Sequence, residues 1–400
     1  MPDRKRKGRA RPSIVLAAAA ALLTLAAPAA AAAAPPPATE TPATATTRAE
    51  TPTRGETPTR AESPTRAETR NTASARAGKK TPSPAHIRAD AAVTCSDVSM
   101  PVTISGTSMP IAGRLCVPAG ATTVQVLLHG YTWGQYYWDL PYEPDRYSYV
   151  RAANAAGYAT LNLSRLGHGA SARPFSGLIT YQSNADSVHQ VVQALRRGDL
   201  GDRFGSVVLV GHSIGALISW LEAGTYHDVD AVVATAVTHK ADLAGLTVDS
   251  LRYYPAALDP KFAGSGLDLG YLTSIPQVRS AYYVAGNTDP AVVALDEQLK
   301  ETGTQSERLT ALPDIVLRRS TDIDIPVMVV IGQQDAEFCG GLTGADCSSS
   351  AALTAEERPF FGPGAVVDGL VVPDAAHDIT LHRTAPQTNQ AILNWVDRRV

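Results

Sequence analysis

An excess of charge of either sign is what this chain most plainly lacks: 35 Lys and Arg face 38 Asp and Glu, for a formal net charge of −3. Such balance argues against nucleic acid or a strongly anionic membrane as a partner, since both are held by a concentrated field of one sign. Cysteine is scarce as well, at four residues, and none lies near the apolar stretch at the N-terminus, so a lipid-modified cysteine is not indicated there. That stretch, Ile14 to Ala27, follows the basic residues Arg4, Lys5, Arg6, Lys7, Arg9 and Arg11 and precedes many further alanines. Pro28 and the weak hydrophobicity of alanine argue against a permanent anchor, so residues 1–34 are expected to be a signal peptide. Residues 35–91 have few large apolar side chains and contain a short repeat, Glu50-Thr51-Pro52-Thr53-Arg54-Gly55 and its two successors to Ala67. Such a segment cannot offset chain entropy by burial and is expected to be a disordered tether, its Glu and Arg alternating in sign. Residues 92–400 are left as the folded domain.

The most informative stretch is Gly211-His212-Ser213-Ile214-Gly215, which follows the apolar run Val207 to Val210 and leads into the helix-like Ala216 to Leu221. In that context it reads as a nucleophile elbow, a sharp strand-to-helix turn that lifts a serine hydroxyl above a sheet, with glycines where a Cβ would collide. Two further groups follow in the order such a site requires. Pro326 to Gly332 reads as a buried parallel strand with Asp335 just beyond it, and Gly369 to Pro373 as a short strand with His377 in the loop after it. Ser213, Asp335 and His377 are therefore the candidate catalytic residues. The run Val124 to Leu128 ends in His129-Gly130, which makes the backbone N–H groups of Tyr131 and Ile214 the candidate oxyanion hole.

With these motifs the chain resembles the α/β-hydrolase superfamily, in its serine esterase, lipase and peptidase branch, from about residue 95 to the end. The loop Arg165-Leu166-Gly167-His168-Gly169-Ala170-Ser171 resembles the one after the fourth strand, which in many relatives begins with an aspartate; Ser164 stands there instead, so a less firmly ordered loop is expected. Some relatives place the acid after the sixth strand, here Val229 to Ala236, which makes Asp242 the rival of Asp335. His382 is the rival of His377, and His212 is expected either to touch substrate or to pack beside the sheet. A serine at the elbow argues against the dehalogenase and epoxide hydrolase chemistry that on this fold resembles cases using an aspartate.

Strands alternating with helices imply an α/β fold: a mostly parallel, doubly wound sheet with helices on both faces. Val188, Val191, Val192 and Leu195 mark one crossover helix, with Gly198 as its stop, and Ile392, Trp395 and Val396 mark the last helix. The segment at about 239–321 is too long for a simple crossover and is read as a lid, with a helix from Ala291 to Thr302. Of the aromatics after the oxyanion strand, Tyr131 and Trp133 are expected to touch substrate, and those from Tyr136 to Tyr149 to be core. The cysteines allow three pairings; Cys95 with Cys116 flanks an N-terminal hairpin, Cys339 with Cys347 encloses the loop after Asp335, and this local pairing is expected. With no histidine suitably spaced beside them, a metal site is not expected, and neither is a cofactor.

The implied function is cleavage of a small, hydrophobic ester by an exported serine hydrolase, with no nucleic acid or stable protein partner. Alternatives on the same scaffold are an aminopeptidase or amidase, for which Glu222 or Asp268 would hold the charged peptide end, a cofactor-free perhydrolase, and a non-catalytic surface-binding protein carried on the tether.

Overall fold

A computed structural model describes residues 92–317 and 320–400; the expected signal peptide and linker lie outside the described residues. The central sheet has eight strands: β1 (Val93–Ile104), β2 (Thr107–Pro118), β3 (Thr123–Leu128), β4 (Ala159–Ser164), β5 (Ser206–His212), β6 (Ala231–Thr235), and, after an insertion, Val327–Gly332 and Val367–Val372. The insertion contributes three short strands, β7 (Tyr253–Pro255), β8 (Tyr271–Ser274) and β9 (Gly303–Thr304), so the last two central strands are β10 and β11. Spatial order in the large sheet is β1-β2-β4-β3-β5-β6-β10-β11. The hairpin β1–β2 is antiparallel and joins β4 antiparallel; every other neighbour pair is parallel.

The central strands read as unbroken apolar runs because both of their faces are covered. β10 is buried at all six positions, and β3 and β5 at all but the first. Among the described residues, eight helices of seven residues or more flank the sheet: α1 (Tyr149–Ala155), α2 (Tyr181–Arg197), α3 (Ile214–Tyr226), α4 (Leu243–Ser250), α5 (Pro290–Leu299), α6 (Gln305–Leu317), α7 (Ser350–Glu357) and α8 (Ala385–Arg399). α2 shows how local sequence sets these limits. Thr180 caps its start by accepting from the Ser183 N–H while Ser183 reciprocates, and Gly198 ends it in the left-handed region at φ +84°. Its stripe Val188, Val191, Val192 and Leu195 is buried, each side chain contributing about 1.5–3 kcal/mol relative to exposure. The expected helix at Ala291 begins one residue earlier, at Pro290 behind an Asp289 cap, and ends at Leu299 instead of Thr302.

The segment expected as a lid comprises α4, the small antiparallel sheet, α5 and α6. Tyr271, Tyr282, Tyr283 and Phe262 of that segment are buried, whereas Leu269 is exposed. Both expected disulfides are present: Cys95 pairs with Cys116 directly across the hairpin, and Cys339 with Cys347 across eight residues. Among the described residues no helix is long and apolar enough to cross a membrane.

The β1–β2 hairpin lies at the sheet edge, and its bridge spans 21 residues of sequence separation. On the chain-entropy model, closing a loop of that size stabilises by about 3 kcal/mol. The double substitution Cys95→Ser with Cys116→Ser is therefore expected to lower the thermal unfolding midpoint by several degrees, read by circular dichroism.

Candidate active site

Ser213 occupies a backbone conformation that few non-glycine residues adopt, φ 54° and ψ −123°. Such a residue costs about 1–3 kcal/mol and persists only where its surroundings over-determine it. Here they do. A Cβ on Gly211 would stand 2.5 Å from the backbone of Ala216, and one on Gly215 would stand 2.3 Å from the Leu128 carbonyl oxygen and 2.7 Å from that of His129. The two glycines thus let the first turn of α3 fold back on β5 and press against the end of β3. The Ser213 N–H donates to the Thr235 carbonyl at 2.8 Å, which ties the elbow to β6. Ser213 is partly exposed while His212 and Ile214 beside it are buried.

Asp335 sits just past β10, buried, with Oδ1 accepting the Glu337 N–H at 3.0 Å and Oδ2 2.9 Å from His377 Nδ1. Its two oxygens are thereby divided between holding its own loop and orienting the imidazole. The His377 loop comes this close because residue 332 is glycine: a Cβ there would meet the Ala376 carbonyl oxygen at 2.2 Å. His212 Nε2 lies 3.2 Å from the His377 carbonyl oxygen, and the two rings are 5.1 Å apart, so the residue preceding Ser213 packs directly against the histidine loop. The Ser213 hydroxyl itself makes no hydrogen bond among the described residues; what stands nearest His377 Nε2 among charged groups is Glu337 Oε2, at 3.9 Å.

The loop after β3 is held by buried cations. Arg165 donates from Nε to the His129 carbonyl at 3.0 Å and from Nη2 to the Gly130 carbonyl at 3.1 Å, and it pairs with Glu307 of α6; both side chains are fully buried. Arg279 donates to the Thr132 carbonyl at 2.6 Å, and the Glu301 N–H reaches the same oxygen at 2.8 Å. The carbonyls of His129, Gly130 and Thr132, on either side of Tyr131, are thus engaged. The Tyr131 ring packs against Tyr253, centroids 5.0 Å apart, and beneath the Arg308 guanidinium at 5.3 Å.

Residues 125–388 match the model of the alpha/beta hydrolase family. The chain belongs to that family. One solved structure agrees on the fold: this hydrolase is similar to DcsB, solved with its substrate analogue, at 17% identity over 77% of this chain and 99% of that one, TM-score 0.51. It is similar also to a thermophilic esterase from Thermogutta terrifontis, at 17% identity over 75% and 98% of the two chains, TM-score 0.49. A probable hydrolytic enzyme from Pseudomonas aeruginosa shows 18% identity over 75% and 93%, TM-score 0.49. No curated protein matches the hydrolase.

The other residues singled out in the sequence of this hydrolase take the following places. His212 does not face open space: it is fully buried, stacked 3.9 Å from Tyr137, and its place is one of support. Trp133 is 1% exposed, sandwiched by Arg279 at 4.3 Å and Tyr282 at 5.1 Å, so its contribution to a substrate surface is small. Asp242 caps α4 by accepting from the Gly245 N–H. His382 Nε2 accepts from the N–H groups of Val284 and Ala376, which fixes it as a neutral structural imidazole. Glu222 lies near the far end of α3 beside Asp228, and Asp268 is bonded to Ser176, so neither is at the elbow. The loop lacking an aspartate at 164 is nonetheless firmly held: Ser171 donates to the Ser164 carbonyl at 2.6 Å and accepts from the Ala112 N–H at 2.8 Å.

Glu337, Arg165, Arg279 and the group Asp249, Arg252 and Arg308 were not found by sequence reasoning. Glu337 lies two residues past the acid and Arg165 opens the loop after β4 that the sequence marked, so both had a positional signal; the others come from segments with no motif. Electrostatics make Glu337 consequential. Burial alone would lower the His377 pKa, but the carboxylates of Glu337 and Asp335 outweigh it and hold the imidazole up at about 10. Burial, reinforced by Asp249, pushes the Glu337 carboxyl up to about 8. Removing the Glu337 charge leaves the imidazolium with less support, so Glu337→Gln is expected to lower the His377 pKa by a unit or more, read by NMR titration of the labelled imidazole. An unchanged pKa would mean that Asp335 alone sets it.

Proposed function

We propose that this chain is an exported serine hydrolase that cleaves carboxylic esters through an acyl-enzyme. The observation that carries the reading is the strained elbow at Ser213, packed through His212 onto the loop whose His377 is bonded to Asp335. A serine hydroxyl is a weak nucleophile at neutral pH, so a neighbouring base must take its proton. In this reading His377 Nε2 accepts that proton as Ser213 Oγ bonds to the acyl carbon, and the carbonyl electron pair moves to oxygen. The N–H groups of Tyr131 and Ile214 hold the oxyanion, each such donor contributing about 3 kcal/mol to the transition state. Collapse breaks the ester C–O bond, the alcohol leaves with the proton from His377, and water repeats the sequence to free the acid. Asp335 stays ionised, fixing the tautomer and stabilising the imidazolium.

For the histidine to act as base it must shed the proton that Glu337 helps it retain. Rotation of the Glu337 carboxyl away from Nε2, or its own protonation, opens that position to Ser213. The substrate is proposed to be a small-molecule ester. Tyr253, only partly buried and backed by the buried Tyr131 and Tyr282, offers apolar ring surface, and Arg252 and Arg308 stand beside these rings, 3.7 and 3.9 Å from Asp249 and too distant for a hydrogen bond. That mixture suits an ester with an apolar part and an oxygen-rich end. Two disulfides and the N-terminal segment with a basic, then apolar, character support export, with residues 35–91 serving as the tether.

A fluorophosphonate probe is expected to label the protein at Ser213, and Ser213→Ala to abolish labelling; a folded wild-type protein that resists the probe would favour a binding module. Rates compared across acyl esters of increasing chain length, carboxylate-bearing esters and aminoacyl amides should favour esters by at least about tenfold in kcat/KM. Faster amide turnover would replace the esterase reading with a peptidase one.

A further inference from the structure

Away from the elbow, α2 and α3 bring together His189, Glu222 and the turn residue Asp228, whose ligand atoms all lie within 4.8 Å of one another. Glu222 is nine residues along α3 from Ser213, about 13 Å by helical rise, so this cluster is separate from the candidate active site. We propose that these three side chains form a binding site for a divalent transition-metal ion of the zinc class, which clamps α2 to the end of the elbow helix.

The decisive feature is Glu222. Its side chain is fully buried, and neither carboxylate oxygen has a hydrogen-bond partner. Asp228 Oδ1 is buried and unpartnered as well. Three orphaned acceptor oxygens in one place are costly, and a single proton shared between the carboxyls would satisfy only part of them. The nearby Arg196 does not neutralise them. Its guanidinium is committed to the carbonyls of Asp228 and Gly205 and to the Asp230 carboxylate.

The remaining groups are arranged as supports for ligands. Asp228 Oδ2 accepts from Gln193 Nε2 at 2.6 Å and lies 2.8 Å from His189 Nδ1, while the Tyr226 ring stacks on His189 at 3.8 Å and anchors its own hydroxyl on Asp186. Around a tetrahedral ion with bonds of about 2.1 Å, ligand atoms stand about 3.4 Å apart, which small side-chain rotations reach from the observed spacing. One imidazole nitrogen with two carboxylates favours zinc over calcium or magnesium, which take oxygen donors in greater number. The imidazole edge is 29% exposed, giving the ion an entry path and a water in the fourth position.

The test uses the untagged full chain, stripped with chelator and dialysed against zinc chloride. Wild type is expected to retain about one zinc per chain by elemental analysis and to gain several degrees in thermal midpoint, both reversed by chelator. Glu222→Gln should lose both effects, and His189→Gln, at a partly exposed position that does not threaten folding, should lose them too. The proposal is overturned if folded wild type retains no zinc, if the variants retain as much as wild type, or if calcium and magnesium raise the midpoint equally. A Glu222→Gln protein more stable than metal-free wild type, with no zinc uptake by either, would assign the cluster to proton sharing.

Discussion

Everything at the candidate active site depends on how closely α3 approaches the end of β3. Gly215 has the Leu128 and His129 carbonyl oxygens where a side chain would be, and Gly211 has the Ala216 backbone. With those contacts made, Ser213 takes up the strained conformation at φ 54° at the start of α3. The strain is local, and the packing that enforces it spans β3, β5 and β6.

The insertion holds the loop after β3. Glu307 pairs with Arg165, which holds the carbonyls of His129 and Gly130, and Arg279 with the Glu301 N–H holds that of Thr132. Buried ion pairs contribute little net stability because desolvation offsets attraction, yet breaking one partner leaves an uncompensated charge. Their value here is geometric: they hold in place the carbonyls of His129, Gly130 and Thr132 on either side of Tyr131.

Glu337 gives the site an electrostatic character that a serine, a histidine and an aspartate alone would not have. It stands 3.9 Å from the nitrogen that would receive the serine proton, inside a group that also contains Asp249, Arg252 and Arg308. Glu337 and Asp335 thus push the His377 pKa up against the effect of burial, and burial with Asp249 pushes that of Glu337 up. Substrate entering this space would meet both apolar rings and guanidinium groups.

The sequence by itself determined the fold class, the course of the central strands, the buried stripe and Gly198 stop of α2, the disulfide pairing found, and the places of Ser213, Asp335 and His377 just past strands of the sheet. These are legible because each depends on neighbours within a few residues: apolar runs, caps, and glycines flanking a turn. Only the tertiary structure decided that His212 is buried, that Trp133 is enclosed by Arg279 and Tyr282, that Asp242 caps a helix, and that Glu337 shares the histidine. It alone showed that the loop lacking an aspartate at 164 is ordered by Ser171, and that His189, Glu222 and Asp228 meet. The physical reason is the same in each case. These groups are joined by contacts between residues distant in the chain, and such contacts are set by how sheet, helices and insertion pack together, a geometry that no local spacing encodes.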